Sequence, residues 1–385
     1  MTEKKKHILL LYRQMIPSIR LCGHVQMEAL AQKGVVEYRA VQTARIKKED
    51  MDWAEVVLLG RLDNRYEYQI ARLLHNAGKK LIYVIDDDLL NIPHEISSAM
   101  YYGRNEIQHC IRETIRISDA ILSPSPILLK KYTIDGQKAI QIEEPAIDPV
   151  PYEERALNKI VKIGFAGSID RAGDVESILR DALIRIKSYY GKRVQFEFFG
   201  AIPSFANELE AKCFSYCESY QDYREKLNAL EWDIGLAPMP DTQFHACKHY
   251  NKFVEYAAAG VVGVFSSVQP YIRLEQRGAP GVYVSNDVEA WYKAICKLID
   301  EPELRERERK NCVDYAEKYL NVAYVAEQLQ KKVLDIEQAD TKKIRLWELN
   351  YTRLNGIVYT MIEVWKRYGI HTPLVVLQKA MHKGK

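Results

Sequence analysis

Short apolar segments alternate with amphipathic segments along most of this chain of 385 residues. The apolar segments of the first half predict strands at His7–Tyr12, Glu55–Leu59, Lys80–Ile85, Ala120–Ser123 and Ala139–Ile142. Helical patterns lie between them, for example at Gly23–Gln32, Arg65–Ala77 and Asn105–Ile117. Strands that alternate with helices predict an α/β fold with a parallel, doubly wound sheet.

The same alternation recurs after Pro145, Pro149 and Pro151, which interrupt the chain as a linker would. Strands are predicted at Val161–Phe165, Gln195–Phe199, Asp233–Ala237, Val261–Phe265 and Gly281–Val284. Helices are predicted at Asp174–Tyr189, Tyr223–Leu230, Lys248–Ala259, Asp287–Ile299 and Glu303–Leu320. We therefore expect two Rossmann-like domains, residues 1–150 and 151–335, with a ligand cleft between the carboxyl ends of their strands.

The composition, with 47% apolar and 28% charged residues, is typical of soluble globular proteins. The seven cysteines are scattered and form no zinc-binding pattern, so reduced thiols in a cytoplasmic protein are expected. We recognise no signal peptide and no apolar run long enough to span a membrane. Neither a P-loop nor a GxSxG motif is present.

The segment from Trp232 to Gly260 predicts a buried strand, a polar loop and a helix that carries Lys248, Lys252 and Glu255 on one face. Two cations near a helix N-terminus, with a carboxylate one turn further on, suit a ligand with two anionic groups and a neighbouring diol. A nucleoside diphosphate sugar has those groups. The alternative is a solvated Lys/Glu face, but the small residues of 257–263 indicate tight packing instead.

This pattern, DIGLAPxP followed by a loop and KxxxKxxEYxAxG, resembles the donor-binding region of family-4-type glycosyltransferases, which have the two-domain GT-B fold. Lys162–Asp174 is similar to the first strand and loop of that family's C-terminal domain, and Leu81–Pro93 to its acidic strand end. Ser118–Tyr132, followed by Pro145–Asp148, resembles the end of its N-terminal domain. The resemblance spans most of residues 5–330.

The resemblance implies that Glu255 accepts hydrogen bonds from the ribose of the donor nucleotide. It places Lys248 and Lys252 near the diphosphate, where they would offset the charge of the leaving group. Many relatives carry two glutamates with seven residues between them, and here Cys247 occupies the first of these positions.

The loop Gly167–Arg171 joins a predicted strand to a helix that we expect Asp174 to cap. Gly167 would let the backbone approach a phosphate, and Arg171 could bind the same oxygens. A surface arginine in a plain turn is the alternative for Arg171. Ser168 and Asp241 complete the predicted donor site.

Three consecutive carboxylates, Asp86, Asp87 and Asp88, end a predicted strand. Neighbouring residues of extended chain point in opposite directions, so the three cannot converge on one ion and no metal is predicted. We assign Asp87 to catalysis together with the two lysines, and Asp86 and Asp88 to the acceptor side. Arg20 and Gly23 lie where the first loop of the resembled family approaches the donor phosphates and the acceptor.

Residues 336–385 form a basic tail with nine Lys/Arg and two Glu from Thr341 onward, a net charge of +7 against −4 for the rest of the chain. A helical stripe at intervals of three and four runs through Ile344, Trp347, Tyr351, Leu354, Val358, Met361, Trp365 and Tyr368. The stripe predicts a helix that packs back on the N-terminal domain, or else a membrane-surface or dimer helix. No nucleic-acid recognition fold accompanies the basic residues.

Taken with the resemblance, the sequence predicts a retaining glycosyltransferase that moves a sugar from a nucleoside diphosphate to an acceptor hydroxyl and needs no other cofactor. The acceptor classes implied are glycans, lipid-linked glycans and proteins in bacterial surface synthesis, and contact with the inner face of the membrane is an open alternative. The two rival functions are a non-catalytic GT-B partner subunit and a nucleotide-sugar epimerase.

Overall fold

The computed structural model describes residues 5–142, 145–155, 160–336 and 341–368, which contain two parallel six-stranded sheets. The first sheet comprises β1 (Lys6–Tyr12), β2 (Val36–Gln42), β3 (Val56–Gly60), β4 (Lys80–Val84), β5 (Ala120–Ser123) and β6 (Lys138–Gln141) in the order β2-β1-β3-β4-β5-β6. The second comprises β7 (Val161–Gly167), β8 (Val194–Gly200), β9 (Lys212–Phe214), β10 (Ile234–Ala237), β11 (Val262–Ser266) and β12 (Val282–Val284) in the order β12-β11-β10-β7-β8-β9.

Helices connect the strands and cover both sheets. In the first half they are α1 (Pro17–Ile19), α2 (Val25–Gln32), α3 (Lys48–Trp53), α4 (Arg65–Asn76), α5 (Ala99–Tyr102), α6 (Asn105–Ile117) and α7 (Pro126–Tyr132). In the second half they are α8 (Ala172–Tyr190), α9 (Tyr220–Leu230), α10 (Gln243–Ala246), α11 (Asn251–Ala258), α12 (Ile272–Gln276), α13 (Val288–Asp300), α14 (Pro302–Tyr315), α15 (Val322–Leu334) and α16 (Leu346–Tyr368). Short 3-10 segments lie at Thr43–Arg45, Ile169–Arg171, Gly191–Arg193 and Ser204–Asn207, a π-helical segment at Ala316–Leu320, and a kinked segment at Arg20–His24.

The predicted α/β architecture of two doubly wound sheets is confirmed, but two strands fall outside the predicted set. Both β2 and β9 lie at the edge of a sheet. In β2 only Val36 is buried, and β9 has three residues, none of them buried. An edge strand covered on one side needs few apolar residues, so neither segment has an apolar run from which a strand could be predicted.

Trp232 organises the packing beneath the second sheet. It is fully buried, and its indole Nε1 donates to Glu197 Oε2 at 2.9 Å. The ring lies over Gly164 of β7, where a Cβ would stand 2.0 Å from the nearest ring atom. Glycine at this position therefore leaves the volume that the indole fills, just before the loop that carries Gly167.

Replacing Gly164 with alanine should lower the free energy of unfolding by about 1–3 kcal/mol, because the new methyl group overpacks the Trp232 ring. Urea unfolding followed by circular dichroism measures this change. Gly173→Ala is the matched control: a Cβ there meets no atom within 4 Å, and alanine in a helix should raise stability by about 0.4–1 kcal/mol. Equal stabilities for the two variants would contradict the packing.

The chain returns to the first domain through its last two helices. Helix α15 contributes Val325 and Leu329 to the core that lies under β1, and Lys33 Nζ pairs with Glu327 Oε1 at 2.7 Å. The return therefore begins with α15, before residue 336, the predicted start of the tail. Helix α16 then packs on α4, with Gly356 against the ring of Tyr66.

The face of α16 that meets the first domain differs from the predicted stripe. Leu349 and Thr352 are buried there, whereas Trp347, Tyr351 and Leu354 of the stripe are exposed. Among the described residues of the predicted stripe, Ile344 is buried, and it lies before the helix begins. The predicted tail residues Pro373–Lys385 and the side chain of Tyr368 lie outside the described part of the chain.

Candidate active site

A cavity of about 340 Å³ lies between the carboxyl ends of the two sheets. The loops after β1 and β4 line it from the first domain, and the loops after β7, β8 and β10 line it from the second, together with α9 and α11. In each sheet the strand order reverses beside a lining strand, at β1 and at β7. Ligands of open α/β sheets bind at such switch points.

Glu255 is the buried anchor of the second-domain side, with 6% of its surface exposed. Its Oε2 accepts from Tyr223 OH at 2.8 Å and from Lys252 Nζ at 2.5 Å. Arg224 donates to the backbone carbonyl of Glu255 at 3.1 Å. Two contacts on one carboxylate oxygen, together with a clamp on its backbone, hold the side chain in a single orientation and leave Oε1 for another donor.

Lys248 reaches the cavity from a different element than predicted. Helix α11 begins at Asn251, so Lys248 lies in the turn between α10 and α11 rather than on the helix. Its amide donates to the carbonyl of His245, which continues the preceding turn. Its Nζ lies 2.9 Å from Asp87 Oδ1. This ion pair therefore joins the two domains across the cavity.

The carboxylates of Asp86 and Asp87 share the guanidinium of Arg61, which lies 3.0 Å from Asp86 and 3.7 Å from Asp87. Burial raises the pKa of Asp86, a shift that Arg61 opposes and Asp87 reinforces. Burial also acts on Asp87, but Lys248 and Arg61 outweigh it and hold the pKa of Asp87 below its ordinary value. Asp87 is thus the more acidic member of the pair.

Asp88 does not line the cavity, contrary to its predicted place on the acceptor side. It is 3% exposed and points into the first domain, where Tyr132 OH donates to Oδ1 and Lys131 Nζ lies 2.5 Å from Oδ2. Its Oδ1 also accepts from Asn91 Nδ2 at 3.0 Å, within the turn that follows β4. Cys247 Sγ lies 4.0 Å from the same carboxylate. Asp88 therefore fixes the turn that presents Asp86 and Asp87.

The loop after β7 places Gly167, Ser168 and Arg171 on the cavity. Arg171 donates to the carbonyl of Pro238 at 2.8 Å and lies 3.0 Å from Asp174. Its guanidinium is therefore half-buried and held against the loop after β10. Helix α8 begins at Ala172, so Asp174 lies inside the first turn and is not the predicted cap.

His245 stands beside these cations. Its Nδ1 lies 2.8 Å from Thr242 Oγ1, and Nε2 lies 3.9 Å from Asp174. Burial, then the charges of Arg171 and Lys248, lower the pKa of His245 to about 4. The ring is therefore neutral at physiological pH.

This shift predicts a loss of stability in mild acid. The unfolded chain binds the His245 proton near its ordinary pKa of about 6.5, whereas the folded chain binds it near about 4. Between these values the unfolded state holds more protons, so the free energy of unfolding falls as the pH falls. His245→Asn should remove about 2 kcal/mol of the decrease between pH 7 and pH 5.

Urea unfolding of both proteins at the two pH values measures that difference. The variant His75→Asn, which changes an exposed histidine of α4, is the control and should behave as wild type. An unchanged pH dependence in His245→Asn would contradict the placement of the ring.

Besides Asp88, three predicted residues are absent from the cavity wall. Helix α1 begins at Pro17, so Ile16, Pro17 and Ser18 line the cavity, while Arg20 and Gly23 lie further along in the kinked segment before α2. Asp241 is exposed in the loop before α10. These corrections share one cause. The conformation of each loop determines which of its residues faces the cavity, and this conformation cannot be read from the spacing of residues in the sequence.

Three further residues at or beside the site were not predicted from the sequence. Arg61 directly follows the buried strand β3 and has a φ of 51°, a left-handed conformation uncommon for a residue with a side chain. Its position after an apolar strand is a signal that could have identified it. Ser18 lines the cavity and acts to lower the pKa of Asp86. Tyr223 comes from α9, 32 positions from Glu255, and carries no local signal.

Within residues 5–142, 145–155, 160–336 and 341–368, no group of three or more His, Cys, Asp or Glu has the geometry to hold a metal ion. Metal independence stays a prediction. A search of the helices in this described part finds none with both the length and the apolar character required to cross a bilayer.

No protein-family model and no curated protein sequence matches this chain. Solved structures do match. Sucrose-phosphate synthase from Thermosynechococcus elongatus is 11% identical, with a TM-score of 0.61 over 86% of this chain and 99% of that one. An α-glucosyltransferase in complex with UDP is 12% identical, with a TM-score of 0.59 over 86% of this chain and 100% of that one.

A putative UDP-N-acetylglucosamine 2-epimerase from Listeria monocytogenes is also similar, at 11% identity and a TM-score of 0.53 over 89% of this chain and 100% of that one. Identities this low are informative about the fold only. Because the matches extend over both sheets and their flanking helices, the chain has the GT-B fold.

Proposed function

We propose that this protein is a retaining glycosyltransferase that moves a sugar from a nucleoside diphosphate sugar to an acceptor hydroxyl. The observation that carries the proposal is the convergence of Lys248, Lys252, Arg171 and Glu255 on one interdomain cavity. Three cations beside one fixed carboxylate suit a diphosphate joined to a ribose. The resemblance to family-4-type enzymes further supports bacterial surface polysaccharide or glycoprotein synthesis as the setting.

On the donor side, Glu255 Oε1 accepts from a ribose hydroxyl, while Tyr223 and Lys252 hold Oε2. Lys248 and Arg171 stabilise the charge that develops on the leaving phosphate. Gly167, with no side chain, lets the β7 loop approach the phosphates. The α-glucosyltransferase that contains UDP supports a uridine donor.

On the acceptor side, Asp86 accepts from the incoming hydroxyl and orients it. Retention requires no strong base on the protein, because the departing diphosphate accepts the proton of that hydroxyl. Asp87 holds Lys248 at the phosphate end through their 2.9 Å contact. The protein therefore contributes mainly position and charge.

A nucleotide-sugar epimerase is the second candidate. Its support is the adjacent pair Asp86 and Asp87, whose environments move their pKa values in opposite directions. Such pairs can divide the roles of acid and base between two carboxyl groups.

The test is incubation of the protein with UDP-, GDP- and ADP-sugars without acceptor, followed by NMR of the products. A transferase should slowly release the nucleoside diphosphate, together with a free sugar in which every ring carbon other than the anomeric carbon keeps its configuration. An inverted carbon on the sugar ring would favour the epimerase, and no reaction with any donor would contradict both. We expect the same rate in EDTA.

A further inference from the structure

Helix α16 has two faces with different surroundings. On one face Leu349 and Thr352 are buried against the first domain, and Gly356 contacts Tyr66. The other face carries an apolar stripe, 45% to 62% exposed, of Trp347, Tyr351, Leu354, Val358, Met361 and Trp365. Most exposed apolar residues on soluble proteins are isolated, so a continuous stripe of six indicates a binding surface.

The helix runs antiparallel to α4 and extends beyond it. Near its start, the amide of Lys342 donates to the carbonyl of Ala77 at the end of α4. At the other end, the guanidinium carbon of Arg65, the first residue of α4, lies 5.1 Å from the centre of the Tyr359 ring. The nine residues from 360 to 368 therefore continue for about 13 Å past α4. This extension lies beyond the start of α4, at the end of the first sheet where β3 leads into Arg61. The cavity lies at the same end of that sheet.

Basic residues flank the exposed stripe. Lys342, Lys343 and Arg345 are exposed before the helix, and Lys366 and Arg367 follow Trp365 in the sequence. The residues from 341 onward have nine basic and two acidic side chains, a net charge of +7. Pairing with a second copy would bring these like charges together in either orientation, because both ends of the helix are basic. An anionic surface would instead be attracted to both ends.

We propose that α16 lies in the plane of an anionic phospholipid surface and holds the first domain against it. Trp347, Tyr351 and Trp365 then occupy the head-group level, where amphipathic rings are favoured. Leu354 and Met361 reach the acyl boundary, as in other helices that lie on membranes. The inference does not depend on the proposed transferase activity, because it uses no residue of the cavity.

The test is sedimentation of the full chain with vesicles of phosphatidylcholine alone or with added phosphatidylglycerol. Wild type should bind the anionic vesicles, and salt should weaken the binding. The double variant Trp347→Ser/Trp365→Ser should bind about tenfold or more weakly. The variant Lys342→Glu/Lys343→Glu should lose about fivefold for each charge removed. Tyr189→Ser, which changes an exposed ring on α8, is the control and should match wild type.

Tryptophan fluorescence gives a second measurement. Trp232 and Trp291 are fully buried, whereas Trp347 and Trp365 are 61% and 62% exposed. A blue shift on anionic vesicles should therefore occur in wild type and be lost in the double variant. Absence of wild-type binding, or equal binding by the double variant, would overturn the proposal. So would a wild-type dimer that the double variant converts to monomer without any vesicle binding. Nucleotide binding, measured separately, should be the same in all these variants.

Discussion

Replacing Glu255 with alanine should weaken the binding of the donor nucleoside diphosphate by about a hundredfold or more. The change removes the carboxylate that we propose as the acceptor of the ribose hydroxyl. It also leaves Lys252 Nζ and Tyr223 OH, which lie 2.5 Å and 2.8 Å from that carboxylate, without their acceptor. Titration calorimetry with the nucleoside diphosphate measures the loss directly.

Two further variants isolate the cause of this effect. Glu255→Gln retains the shape and loses the charge, so it should fall between wild type and alanine. Glu225→Ala, which changes an exposed glutamate on α9, should leave the affinity as in wild type. If Glu255→Ala binds the nucleotide as wild type does, the carboxylate has no part in the site.

Replacing Lys248 with methionine should lower kcat by about 10²–10³, with a smaller change in KM. In the proposed mechanism the lysine acts on charge that develops as the diphosphate leaves, so we expect its contribution to be greatest in the transition state. Rates of nucleoside diphosphate release measure both constants. Lys293→Met, which changes an exposed lysine of α13, is the control.

The ion pair with Asp87, at 2.9 Å, suggests a purely structural alternative for Lys248. In that case the loss in Lys248→Met would come from a half-buried carboxylate that has lost its nearest cation and keeps only Arg61 at 3.7 Å. The double variant Lys248→Met/Asp87→Asn removes both charges and separates the two explanations. A rate that stays low supports a cation acting on the leaving group, and recovery to the wild-type rate would refute it.

Where one regular element determines the geometry, the sequence was sufficient to predict which residues of the candidate site lie side by side. Lys252 and Glu255 are three positions apart within α11, so helical periodicity alone brings them together. Lys248 was placed on the same helix, but Cys247 and Lys248 continue the turn of α10, and α11 begins only at Asn251. The lysine still lines the cavity, but the turn between α10 and α11 places it there and not the helical spacing from Lys252.

Contacts between distant segments could not be predicted in this way. Tyr223 meets Glu255 only because α9 packs beside α11, and Arg61 meets Asp86 only because β3 and β4 are neighbours in the sheet. Asp88 was predicted at the cavity because it adjoins Asp86 and Asp87 in the sequence. Its carboxylate instead points into the first domain, where it accepts from Tyr132 OH. Such outcomes depend on packing across the fold.

The tail shows the same division. Its periodicity predicted a helix with an apolar stripe, and α16 is that helix. Periodicity does not report which face meets the protein, and the contact with α4 is made by the face that carries Leu349 instead. The edge strand β2 is a further case of a contact that the local sequence does not report. It is held by its backbone pairing with β1 and has no apolar run from which a strand could be predicted.

The most direct measurement of the central claim is calorimetric titration of the wild-type protein with UDP, GDP, ADP and CDP. We predict that one of the four binds with one-to-one stoichiometry and a Kd of about micromolar magnitude, and that Lys252→Met/Glu255→Ala abolishes this binding while the protein remains folded. No binding by any of the four at millimolar concentration, or equal binding by the double variant, would contradict the assignment of the interdomain cavity to a nucleoside diphosphate.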